Sequence, residues 1–140
     1  MVDREVFARR LARLQSLIGD LRVVAAAEPS QLRIDRALQA QAERWTHLAV
    51  QCCLDLANHV IADRAWPPPE SYRAAFETLA REGTLDAELG AQMGGWAGLR
   101  NILVHLYLEV DHERLHSILR TELEQLVTFA QAMQRELDRT

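Results

Sequence analysis

Residues 31–64 read QLRIDRALQAQAERWTHLAVQCCLDLANHVIADR. Leu38, Trp45, Leu48, Cys52, Leu56 and Val60 recur at helical spacing and share one stripe. The pattern predicts a helix of roughly 30 residues, about 50 Å long, around which a bundle can organise. Pro67, Pro68 and Pro69 prevent it from continuing. Upstream, Phe7, Leu11, Leu14, Ile18 and Leu21 follow a 4-3-4-3 spacing, and Asp3 is placed to cap that first helix. Pro29 and Ser30 end it and lead into the long one. Downstream, Tyr72, Phe76 and Leu79 mark a short third helix that Gly83 closes.

The fourth helix starts near residues 84–86 and holds Gly90, Gly94, Gly95 and Gly98. An interior Gly costs about 1 kcal/mol relative to Ala. Gly90, Gly94 and Gly98 are four apart and form one bare ridge. Two readings follow: a local break, or the close approach of another backbone, here expected beside a dimer seam. Residues 99–139 contain no Gly or Pro, so a break between a fourth and a fifth helix is not forced. Asp111 is placed to cap a helix from His112, with Leu115, Leu119, Leu123, Leu126, Ala130, Met133 and Leu137 as its stripe. No strand-like alternation or internal repeat occurs. The expected architecture is a single all-α domain over residues 1–140, an antiparallel bundle of about five helices.

Composition narrows the function. The 140 residues carry a net charge of −4 and 6% aromatics, which disfavours a non-specific nucleic-acid coat but leaves room for a local basic site. All 16 basic residues are Arg, so lysine Schiff-base chemistry and a P-loop lysine are excluded. Arg9, Arg10 and Arg13 lie off the first stripe, either solvated or facing phosphate or an acidic partner. Cys52 and Cys53 are adjacent, point about 100° apart on a helix, and read as core or interface fillers, not a disulfide. No apolar run reaches transmembrane length and the N-terminus is no signal peptide, so a cytoplasmic protein is expected.

The polar set that can do chemistry is Arg100, Asn101, His105, Tyr107 and Asp111. At roughly 100° per residue, Arg100 and His105 flank a polar face about 140° apart, and Arg100 and Tyr107 nearly superimpose. Arg offers a permanent charged fork for phosphate, and His gives or takes a proton near neutral pH. Such a set suits transfer at a phosphodiester without a metal. The plainer reading is a surface Arg and a hydrogen-bonded core His. Asp55 and His59, four apart, are expected to interact on a cleft wall or to form a structural pair. His112 and His116 have metal-ligand spacing but read as a solvated helix start, and His47 carries no signal.

The string GLRNILVHLY at 98–107 resembles the signature of HEPN-superfamily proteins of the HepT type: Arg, usually Asn next, His after four intervening residues, then Tyr two further on. CLDLANHVI at 53–61, PESYR at 69–73 and EVD at 109–111 are similar to other segments of that family. Leu99 stands where the family often has Phe. The resemblance implies a HEPN-like bundle and the toxin of a toxin–antitoxin pair, a metal-independent endoribonuclease acting on RNA as a homodimer. Arg100 and His105 would be catalytic, with Asn101, Asp55 and His59 in support. Tyr107 would be adenylylated by a small nucleotidyltransferase antitoxin. No cofactor or metal is implied. The alternative is a non-catalytic helical module that binds a nucleotide or a nucleotidyltransferase.

Overall fold

In a computed structural model, described here for residues 3–139, the chain forms six α-helices and one 3-10 turn. They are α1 (Arg4–Ala26), α2 (Pro29–Ile34), α3 (Arg36–Asp63), α4 (Tyr72–Arg81), α5 (Ala87–His105), the 3-10 turn (Tyr107–Glu109) and α6 (His112–Asp138). Among the described residues there is no strand, and no helix is long and apolar enough to cross a membrane.

The long helix is divided. Asp35 is extended and its Oδ1 accepts from the Leu38 N–H at 3.0 Å. A short polar side chain that satisfies the backbone locally starts a new helix in preference to continuing the old one. Asp86 and Asp111 cap α5 and α6 in the same way, and Ser71 caps α4. Asp3 does not: it is left-handed, its side chain makes no cap, and only its carbonyl accepts, from Phe7.

Helix α1 packs its stripe of Phe7, Leu11, Leu14, Ile18 and Leu21 into the groove between α3 and α6. Phe7 meets the His59 ring edge-on at 5.2 Å, so the start of α1 lies beside the end of α3 and the two run antiparallel. Glu43 pairs with His112 and Arg64 with Glu136, so α3 and α6 run parallel. The Glu136 carboxylate is buried and compensated by Arg64 and Arg139, the condition for burying a charge. Phe76 and Phe129 join α4 to α6 through an edge-to-face contact at 5.7 Å. Cys53 is buried and Cys52 half-buried, and burial raises both thiols above their ordinary range, which favours the protonated form.

The glycine helix is unbroken over α5. At Gly90 and Gly94 its bare ridge faces α4 of the same chain, so a close approach within the chain accounts for those two glycines. A Cβ on Gly90 would lie 2.6 Å from Ala80 Cβ and 3.4 Å from the Phe76 carbonyl oxygen. Gly83, at φ +85°, closes α4 and lets the chain turn back so that α5 can lie against it.

These contacts separate the glycines by cost. Gly90→Ala is expected to lower the midpoint of urea unfolding, because the added methyl meets packed atoms of α4. Gly95 has nothing within 4 Å of its would-be Cβ, so Gly95→Ala is expected to raise stability by up to about 1 kcal/mol. Equal shifts in the two variants would overturn the packing assignment.

Candidate active site

Arg100 sits on the last turns of α5, half-buried against α3 and α4. Its Nη2 donates to Gln51 Oε1 at 3.1 Å, and its guanidinium lies 4.8 Å from the centroid of the Tyr72 ring. Gln51 Nε2 in turn donates to Asp55 Oδ1 at 3.0 Å. Asp55 therefore fixes the Gln51 amide, and Gln51 presents its oxygen to Arg100. Nη1 makes a long contact of 3.5 Å with Asn101 Oδ1, and Nε is buried without a protein partner. Held by Gln51, Asn101 and one ring face, with Nε buried, the guanidinium keeps its remaining Nη hydrogens for a ligand.

His105 is the last residue of α5 and is exposed, as is Asn101 one turn earlier. Helix geometry fails at Leu106, with φ −123° and ψ 39°. The chain then enters the 3-10 turn that carries Tyr107. Tyr107 therefore does not continue the helical line of Arg100, a correction to the superposition read from their spacing. Tyr107 is 65% and Leu108 87% exposed, with Ile102 and Leu106 also open to solvent. The stretch joins α5 to the Asp111 cap of α6; the 3-10 turn itself has no buried residue, and Val110 after it packs against the core.

A cleft of about 530 Å³ opens beside Arg100, lined by Asn58, Pro68, Pro69, Glu70, Ser71, Tyr72 and Asn101. The proline run makes one wall, and α3 and α5 contribute an asparagine each. Asp55 reaches the site only through Gln51. His59 does not join it: its ring packs on Phe7, and it borders a separate depression with Asp3, Ala62 and Asp63.

Gln51, Tyr72 and His47 are site residues that sequence reasoning missed. Each lies on a face that becomes meaningful only when α5 is docked against α3 and α4. His47 stands one turn before Gln51, within hydrogen-bond reach of Arg44 at 3.4 Å. Burial, and then the charges of Arg100 and Arg44, hold its imidazole below the ordinary value of 6.5. His112 is bound to Glu43 at 3.0 Å, while His116 is buried, not solvated. Among the described residues no three His, Cys, Asp or Glu side chains gather as a metal site.

Residues 10–133 match the protein family described as Ribonuclease HepT-like. The mRNA nuclease HepT of Shewanella oneidensis is 27% identical over 128 residues, covering 91% of this chain and 90% of that protein. Among solved structures, a tri-AMPylated HEPN toxin of Shewanella oneidensis in complex with MNT antitoxin superposes with a TM-score of 0.86 at 25% identity, covering 96% of this chain and 99% of that one. A cytosolic Bacillus subtilis protein of unknown function superposes with a TM-score of 0.87 at 20% identity, over 99% of this chain and 92% of that one, and shares the fold.

The position of His47 gives a pH dependence. The unfolded chain takes up a proton as pH falls through 6.5, and the folded state resists until lower pH. Its contribution is complete above that value and is lost as the solution is acidified. His47→Gln is expected to flatten the decline of urea-unfolding stability just below pH 6.5. Identical slopes in wild type and variant would show that His47 is not held neutral.

Proposed function

Because this chain belongs to the Ribonuclease HepT-like family, we propose that it is an endoribonuclease toxin, neutralised by a nucleotidyltransferase antitoxin. The observation that carries the reading is the contrast at the end of α5. Arg100 is fixed by Gln51 and Tyr72, while His105, five residues on, projects into solvent. One group is built to hold a phosphate and the other to move a proton.

In this reading His105 accepts the proton of a ribose 2′-hydroxyl as the 2′-oxygen attacks phosphorus. The bond from phosphorus to the 5′-oxygen breaks, leaving a 2′,3′-cyclic phosphate. The 5′-oxygen leaves as a hydroxyl after taking a proton from imidazolium or water. Arg100 stabilises the charge on the five-coordinate phosphorus, so no metal ion is needed. Within one helix the two side chains leave about 140° apart around the axis and about 7.5 Å apart along it, too divergent to close on one phosphate. A homodimer that apposes two α5 ends brings an Arg100 and a His105 together across the seam. The exposed Ile102, Leu106 and Leu108 give that seam its apolar surface.

The same opening exposes the tyrosine to a transferase. Adenylate on the Tyr107 hydroxyl adds a negative phosphate and a large base two residues from His105. It shuts the site by occupying the space at the helix end, not by lying directly over Arg100.

His105→Ala and Arg100→Ala are each expected to lose about 10²-fold or more of RNA cleavage in the presence of EDTA, with helical circular dichroism retained. Unchanged cleavage in His105→Ala, or activity abolished by EDTA and restored by a divalent metal, would reject the mechanism. Tyr107→Phe is expected to cleave RNA yet gain no adenylate mass after incubation with ATP and the cognate transferase. Mass addition at another residue would reject the assignment.

A further inference from the structure

Arg73, the second residue of α4, lies along α5 and is absent from the mechanism above. An ideal Cβ on Gly94 would fall 2.6 Å from Arg73 Nη1 and 3.3 Å from its Cγ and Cζ. On Gly98 it would fall 3.8 Å from Nη2. The side chain thus runs over backbone left bare by Gly94, and its Nη2 reaches as far as Gly98 at ordinary contact distance. Gly95, on another face of the same helix, has open space around it, so the channel is one-sided.

Three observations give this arginine a role beyond packing. First, Arg73 is exposed and, among the described residues, forms no hydrogen bond or ion pair with the protein, so its donors remain available. Second, at roughly 100° per residue, Gly94, Gly98, Asn101 and His105 fall within about 60° of one another around α5. The guanidinium therefore lies upstream on the face that ends in His105. Third, its neighbour Tyr72 carries the Arg100 guanidinium, so adjacent residues at the start of α4 bring this arginine and Arg100 to the same stretch of α5.

We propose that Arg73 is a substrate-binding residue that holds an RNA phosphate adjacent to the scissile one, and that Gly94 seats it. The proposal rests on the ribonuclease reading. A chain of net charge −4 has no bulk field to gather a polyanion, so binding depends on individually placed cations. An arginine laid on bare helix backbone is oriented without a carboxylate that would compete for it. Its planar fork suits phosphate oxygens.

The test uses a fluorescent 2′-O-methyl RNA dodecamer, which is bound but not cut, and measures Kd by anisotropy over a range of salt. Arg73→Ala is expected to weaken binding several-fold and to reduce the salt slope by about 0.7, the value for one phosphate contact on a single strand. Gly94→Ala, whose methyl displaces the guanidinium, is expected to act in the same direction. The double variant should bind no worse than Arg73→Ala alone. Arg120→Ala, a remote exposed arginine on α6, should leave Kd near wild type. Wild-type affinity and slope in Arg73→Ala would overturn the proposal. A Gly94→Ala effect that is absent, or that adds to Arg73→Ala, would overturn the seating. Wild-type protein that binds in this pattern but never cleaves unmodified RNA would defeat the ribonuclease reading while leaving the phosphate contact standing.

Discussion

The approach of α5 to α4 is the constraint on which the rest of the site depends. At Gly90 there is no room for a side chain, because Ala80 Cβ and the Phe76 carbonyl occupy the space a Cβ would need. That contact fixes the level at which α5 lies along its neighbour. Tyr72 then comes under Arg100, Arg73 lies over Gly94 and Gly98, and Asn101 closes the cleft that the proline run opens. Several glycines inside one helix cost stability as isolated choices. Gly90 and Gly94 are explained by what they admit.

Rigidity and freedom are distributed along α5 accordingly. The middle of the helix is buried through Met93, Trp96 and Ala97, and Trp96 donates to Gln125 of α6. Arg100 inherits that rigidity and adds its own hydrogen bond to α3. Beyond it the helix runs out of core. Asn101, Ile102, His105 and Leu106 are exposed, and the 3-10 turn has no buried residue. In the proposed mechanism a phosphate-binding cation gains from being preorganised, whereas a proton-transferring imidazole and a modifiable tyrosine must be reached from outside. The two demands are met by one helix that is anchored at one end and open at the other.

Electrostatics at the site is managed by neutral groups. Gln51 stands between the Asp55 carboxylate and the Arg100 guanidinium, so the acid orients the arginine without neutralising it. A direct Asp–Arg pair would cancel the charge that phosphate needs. His47, kept below its ordinary pKa by burial and by Arg100, likewise adds no competing charge.

The sequence by itself determined the helices, because periodicity and caps are local properties. The stripe from Phe7 to Leu21, the cap at Asp111 and the turn at Gly83 were all legible in it. Local reading erred where two local preferences competed. Asp35 satisfies Leu38 and divides the long helix, and Asp3 leaves its side chain unused. The signature Arg100, Asn101, His105 and Tyr107 was visible as a string, and its resemblance named the family. Only the tertiary structure decided what those residues face. Gln51 and Tyr72 have no sequence signal, since their role consists of meeting Arg100 from other helices. The glycine ridge could be read as an approach of backbones but not as one within the chain. Tyr107 could be counted seven residues from Arg100, but the helix ends first, and that end is set by the loss of core beneath it.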